Sequence, residues 1–232
     1  MDQERVTAYI HSLDRGHGEL CDRIAKTARA EFVPIIRRET ASFLQAQIMA
    51  VRPMRILEVG TAVGYSALLM RQVMPEGAHI TTIERDEVRI QKAKDHFALA
   101  QAQEDITLLE GDAQKILEEI DGPFDFVFMD AAKGQYIHWL PSILRLLVPG
   151  GVLFSDNVLQ DGDIIESRFA VERRNRTIHA RMREYLYTLT HHEELLTALS
   201  WYHFDLQAVL QDENAAPDGL HVLQHFVLRR LR

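Results

Sequence analysis

Through the first fifty residues, apolar side chains recur every three to four positions. Val6, Tyr9, Ile10 and Leu13 form one such stripe, and Leu20, Ile24, Ala25 and Ala28 a second. Phe43, Leu44, Ile48 and Met49 predict a third helix with Thr40 as its N-cap. After Pro53 the pattern changes to short apolar runs alternating with longer amphipathic ones. RILEVG (55–60), HITTIE (79–84), ITLLEG (106–111), FDFVFMD (124–130) and GVLFSD (151–156) read as strands. Between them, helices are predicted at 65–74, 86–99, 113–120 and, despite Pro141, 136–147. Strands and helices in strict alternation imply right-handed crossovers and a parallel sheet covered on both faces. A charged amphipathic helix is expected over 171–196. Two apolar runs, 196–204 and 221–230, are read as an antiparallel pair added to the sheet edge, making a mostly parallel seven-stranded sheet.

No repeat or Pro/Gly-rich linker divides the 232 residues, so one α/β domain is expected: helices over 1–52, a binding core over 53–160, and a basic helix with terminal strands over 161–232. A single cysteine, Cys21, excludes an internal disulfide framework and fits a reducing, cytoplasmic setting. MDQERVTAYIHSLDRG has no basic stretch leading into an apolar run, so no secretory signal is expected. With no run of 18 apolar residues, no membrane partner is expected either. The net charge of −8 argues against coating nucleic acid by bulk electrostatics, although a local basic patch is still compatible with it.

In open parallel sheets, ligands bind beyond the carboxyl ends of the strands. The first strand leads into Glu58-Val59-Gly60-Thr61-Ala62-Val63-Gly64-Tyr65-Ser66. Its glycines permit a tight turn and close backbone approach, but the loop lacks a G-x-G-x-x-G fingerprint. Glu58 would repel a pyrophosphate and welcome a ligand with a cationic amino-acid end. Glu84 ends the second strand, where it can accept hydrogen bonds from both hydroxyls of a ribose. Gly111-Asp112-Ala113 follows the third and can place Asp112 or the Ala113 backbone beside a base. This set, over residues 55 to 155, resembles the class I S-adenosylmethionine-dependent methyltransferases, which implies a Rossmann-like fold. The resemblance also implies a cofactor site of Glu58, Gly60, Ser66, Glu84, Asp112, Ala113 and Asp130. A dinucleotide dehydrogenase is the alternative for this half.

The fourth strand ends in Asp130, with Lys133 three residues on, and the fifth in Asp156-Asn157. Adjacent strand tips lie about 4.8 Å apart, so these groups can converge on one ion. Two carboxylates and an amide oxygen are hard ligands suited to Mg²⁺. No Cys/His cluster competes, and His191-His192 falls in a charged helix where solvation explains it. D-x-x-K followed by P-G-G-x-x-x-x-D-N resembles the metal-dependent O-methyltransferases of the catechol and caffeoyl-CoA type. That resemblance implies Asp130, Asp156 and Asn157 as Mg²⁺ ligands and Lys133 as general base. A nearby divalent cation would depress the lysine pKa and let it accept a proton near neutral pH.

Residues 168–183 carry six arginines, at 168, 173, 174, 176, 181 and 183, against one acid, Glu172. Arginines so concentrated suit phosphates. DNVLQDG and ERRNRTIHARMREY together resemble the bacterial tRNA 5-hydroxyuridine methyltransferases. This implies methylation of wobble 5-hydroxyuridine to 5-methoxyuridine, with Arg173, Arg174 and Arg176 on phosphates of the anticodon loop. The unpaired wobble base can be splayed into a pocket, and its C5 hydroxyl and C4 oxygen form a vicinal pair like that of a catechol. A small-molecule catechol-type enzyme, with the arginines at the interface of a homodimer, is the alternative. A non-catalytic RNA-binding or nucleotide-sensing module is disfavoured by the presence of metal and base residues together. Tyr65, Tyr136 and Trp139 are aromatic candidates near the site that core packing also explains. The tail after Tyr202 departs from the compact terminal hairpin of such relatives.

Overall fold

The structure is a computed structural model that describes residues 3–13, 15–200 and 205–210. Three helices open the chain: α1 (Gln3–Leu13), α2 (Glu19–Ala30) and α3 (Arg38–Val51). The alternating part then runs β1 (Arg55–Val59), α4 (Tyr65–Arg71), β2 (His79–Glu84), α5 (Glu87–Leu99), β3 (Ile106–Glu110), α6 (Ala113–Glu119), β4 (Phe124–Met129), α7 (Tyr136–Leu146) and β5 (Leu147–Ser155). α8 (Arg176–His191), β6 (Leu195–Ser200) and β7 (Asp205–Leu210) complete the described chain.

The sheet order is β3-β2-β1-β4-β5-β7-β6. β1 to β5 pair in parallel, β7 runs antiparallel to β5, and β6 antiparallel to β7. Alternate residues of the central strands feed two cores. Ile56, Phe126, Phe128 and Phe154 pack with α2, α3 and α4 on one face. Leu57, Val59, Val127, Met129 and Leu153 pack with α7 and α8 on the other. Burial on both faces explains why these strands read as continuous apolar runs.

Three local expectations change. α3 begins at Arg38, with extended Arg37 at the cap position, so Thr40 lies inside the first turn, buried, and does not cap it. Arg37 is extended (φ −67°, ψ 160°) and makes no side-chain cap, so the helix begins without the Thr40 cap. The basic helix spans Arg176–His191, preceded by a 3-10 turn at Arg173–Asn175, because the chain leaves helical geometry at His192 to enter β6. The edge partner of β6 is 205–210 in place of 221–230, whose residues lie outside those described. The short connection between β6 and β7 makes this pairing local. Among the described residues, no helix is long and apolar enough to cross a membrane.

The strand order reverses between β1 and β4, the topological position where a crevice opens in such sheets. Backbone hydrogen bonds carry the sheet one step past each strand tip. The Asp130 amide donates to the Val59 carbonyl (3.0 Å), and the Asp156 amide to the Met129 carbonyl (3.1 Å). These bonds fix the acidic tips side by side.

Candidate active site

At the end of β1 the backbone turns through positive φ at Gly60 (108°), Ala62 (44°) and Gly64 (82°). A Cβ on Gly60 would lie 2.1 Å from the Asp130 carbonyl oxygen, so glycine is what allows the β1 and β4 tips to close up. Gly60→Ala adds backbone strain to that clash and is expected to cost about 3 kcal/mol or more of stability, measurable by urea denaturation.

Glu58 and Ser66 stand behind this loop and do not line the crevice. The Glu58 carboxylate is fully buried and accepts hydrogen bonds from the hydroxyls of Ser66 and Thr82. Burial pushes its pKa up from 4.5 to about 7, against the two hydroxyl bonds. In the unfolded chain the group ionises near 4.5, so the folded state holds its proton more tightly. The resulting stabilisation is complete below pH 4.5 and is lost as the pH rises to about 7, an effect of about 3 kcal/mol. Glu58→Gln is expected to remove that decline. Unfolding free energies at pH 5 and pH 8 check it, and a slope unchanged by the substitution would assign the decline to other groups.

Glu84 is braced by three backbone amides: Ala62 (2.9 Å), Arg85 (2.9 Å) and Asp86 (3.0 Å). Asp112 caps α6 by accepting from the Gln114 amide at 3.0 Å. Both border a cavity of about 590 Å³ that Gly60 and Ala113 also line. Its other end is lined by Asp130, Lys133, Asp156 and Asn157, so eight of the sequence-predicted residues share one crevice. Pro34, Ile35, Arg85 and Arg89 line it as well, and nothing in their local sequence pattern marks them.

At that end the Lys133 ammonium donates to Asp130 Oδ1 (2.9 Å) and the Asp156 carbonyl (2.9 Å), and lies 3.9 Å from Asp156 Oδ2. Burial opposes its charge, but Asp130, the Tyr136 oxygen and Asp156 together hold its pKa well above the usual lysine value. In this arrangement Lys133 is an ammonium. The depressed pKa expected from the sequence presumes a divalent cation on the same carboxylates. Asn157 follows at φ 47°, a left-handed conformation that asparagine tolerates, and the chain turns there after β5.

Tyr136 belongs to the site although its sequence position favours packing. Its buried hydroxyl donates to the Met129 carbonyl (2.8 Å) and accepts from the Ala131 amide (3.1 Å) and from Lys133 (3.1 Å). The D-x-x-K-x-x-Y spacing is the signal that marks it, since it places Lys133 and Tyr136 one helical turn apart. Tyr65 is a core residue, and Trp139 lines the crevice.

The six arginines do not form one surface. Arg176 donates to the Val171 carbonyl (3.3 Å), Arg181 to that of Gly134 (3.1 Å), and Arg183 lies against those of Ile164 and Glu166. Arg174 pairs with Glu172 (2.6 Å) in a highly exposed position, and Arg168 and Arg173 are exposed.

Among the described residues, no group of three or more His, Cys, Asp or Glu side chains is placed to hold a metal. The candidate set is instead two carboxylates and an amide. Both carboxylates already approach one cation, the Lys133 ammonium, which is the observation that fits a divalent ion here.

The sequence profile of the O-methyltransferase family matches residues 13–192. The chain belongs to that family. A catechol O-methyltransferase of Niastella koreensis is 34% identical over 128 residues, 53% of this chain and 58% of that one. The O-methyltransferase ankF of Aspergillus thermomutatus is 32% identical over 167 residues, 68% of this chain and 67% of that one. The match thus spans a little over half to two thirds of these relatives. The SAH-bound Podospora anserina methyltransferase PaMTH1 shares the fold, with a TM-score of 0.81 at 24% identity over 90% of this chain and 95% of that one. This O-methyltransferase therefore has the Rossmann-like architecture of its family, with the parallel sheet flanked by helices.

Proposed function

We propose that this O-methyltransferase transfers the methyl group of S-adenosylmethionine to one hydroxyl of a vicinal oxygen pair on a small aromatic acceptor of catechol or caffeoyl-CoA type. The observation that carries the reading is the joining of two chemically distinct ends in one crevice. Glu84 at one end is a braced acceptor for ribose hydroxyls, with Asp112 and Ala113 beside the base. Gly60 lets the ligand pass close to the backbone, and Glu58 and Ser66 hold the loop from behind. Asp130 stands between this half and the chemical end.

There, Asp130, Asp156 and Asn157 would hold Mg²⁺. When bound, a divalent cation lowers the pKa of a hydroxyl it contacts and fixes its orientation. With a divalent cation taking over the two carboxylates, Lys133 would lose the charges that keep it an ammonium, and its neutral amine, kept in place by Tyr136 and the Asp156 carbonyl, would be the group positioned to take the hydroxyl proton at Nζ. The crevice walls orient the acceptor oxygen toward the sulfonium methyl and exclude water from the transfer.

A second reading, 5-hydroxyuridine in tRNA, is favoured by one observation. Arg168, Arg173 and Arg174 are exposed on the segment that leads into α8, whose Arg181 touches the turn carrying Lys133. Assays of purified protein on a catechol and on 5-hydroxyuridine-containing tRNA separate the two. Turnover of the catechol, unaffected by charge reversal at Arg173 and Arg174, is the expected result. Turnover of tRNA alone, lost on that reversal, would move the assignment to the second reading. A homodimer is part of the proposal, and sedimentation velocity tests it.

A further inference from the structure

α8 reaches the chemical end of the crevice from behind, through residues that do not line it. Arg181 and Tyr185 lie one turn apart on the same face of this helix. Arg181 Nη1 donates to the Gly134 carbonyl at 3.1 Å, one peptide from Lys133. The fully buried Tyr185 hydroxyl is 2.7 Å from Ser155 Oγ, the residue before Asp156, and 3.9 Å from the sulfur of Met129, the residue before Asp130. The Tyr185 ring also meets the Tyr136 ring edge-on, with centroids 5.4 Å apart at 72°. One helix face therefore touches the immediate neighbour of each of Asp130, Lys133 and Asp156, as well as the ring of the tyrosine that holds Lys133.

We infer that Arg181 and Tyr185 are positioning residues for this reaction, clamping the Lys133 turn against the two acidic strand tips. The Lys133–Gln135 turn is a three-residue 3-10 segment held by two backbone bonds, from the Gln135 amide to the Ala132 carbonyl (2.8 Å) and from the Tyr136 amide to the Lys133 carbonyl. A turn that short has little rigidity of its own. Arg181 supplies an external anchor, and Met182, Tyr185 and Leu189, all buried, fix the helix that carries it. The guanidinium is thus engaged with the protein's own backbone, which separates Arg181 from the exposed arginines at 168, 173 and 174 of the same segment. The same geometry gives the arginine segment a mechanical link to the site: a ligand that shifts the start of α8 moves the anchor of Lys133.

The catalytic importance of Lys133 rests on the proposed function, but the clamp can be read without it. Arg181→Ala, Arg181→Lys and Tyr185→Phe would be compared with the wild type by amide hydrogen exchange over residues 131–136, SAH affinity by calorimetry, and steady-state methyl transfer. In Arg181→Ala, exchange at the Ala131 and Gln135 amides is expected to rise about tenfold, with SAH affinity within about twofold of wild type. The turnover number kcat is expected to fall about 10- to 100-fold with little change in KM for the acceptor, the size a displacement of about 1 Å brings. Arg181→Lys keeps a donor and is expected to recover most of both losses. Tyr185→Phe should lower kcat severalfold with the fold intact. Unchanged exchange in Arg181→Ala would overturn the clamp. So would a loss spread over the whole chain that lysine does not rescue and Tyr185→Phe does not reproduce. If the wild type transfers no methyl group to any acceptor, the proposed function fails, and the exchange result alone decides the clamp.

Discussion

Replacing Lys133 with methionine is expected to lower kcat by about a thousandfold or more while leaving SAH affinity within a few-fold of wild type. A positioned general base contributes about 10² to 10⁴ in rate, and among the described residues lining the crevice Lys133 is the one amine, facing both acidic tips. Methionine keeps most of the apolar stem, so its packing beside Tyr136 survives. The proposed cofactor half is built on Glu84, Asp112 and Gly60, none of which Lys133 touches in the hydrogen bonds described. A second effect runs the other way. The ammonium and a divalent cation would compete for Asp130 and Asp156, so the variant should bind Mg²⁺ more tightly than wild type. Calorimetry with Mg²⁺ alone checks this. Weaker Mg²⁺ binding in the variant would separate the lysine from the metal site, and a kcat within tenfold of wild type would remove Lys133 from the chemistry.

Asp156→Ala is expected to have a loss of similar size for a different reason. It removes one of two carboxylates from the candidate metal set but leaves the Asp156 carbonyl that holds Lys133 at 2.9 Å. The base thus stays anchored while the charge that would hold the cation is halved. Activity should fall about a thousandfold, a scale consistent with losing the several kcal/mol that a bound metal supplies. The residual rate should no longer respond to a chelator, and SAH binding should persist. Retained chelator sensitivity with near-normal turnover would place any metal elsewhere.

The sheet was legible because its short continuous apolar runs and strand-ending acids are local signals. Asp130, Asp156 and Asn157 could be placed together from the parallel alternation alone, since consecutive crossovers bring those tips side by side. Asp86 and Asp112 cap α5 and α6 by bonds to backbone amides two or three residues away, a pattern that sequence carries directly. Long-range partnering was not legible. Glu58 reads as a ligand-facing acid until Thr82, 24 residues on, and Ser66 are seen to take its oxygens. The arginine segment reads as a phosphate patch, yet Arg176, Arg181 and Arg183 each direct one guanidinium nitrogen at backbone carbonyls whose direction depends on tertiary packing. Likewise, β6 pairs with 205–210, close by in the sequence, a choice that the apolarity of 221–230 obscured.

Methyl transfer itself is the most direct test of the proposed function. Purified protein with methyl-labelled S-adenosylmethionine and a catechol acceptor, assayed with Mg²⁺ and again with excess chelator, tests it in one experiment. The expected result is a labelled methyl ether formed with Mg²⁺, abolished by chelator and restored by adding Mg²⁺ back. Labelled ether formed equally well in chelator would contradict the metal assignment. No transfer to the catechol or to hydroxyuridine-containing tRNA, in protein that binds SAH, would contradict the proposed chemistry as a whole.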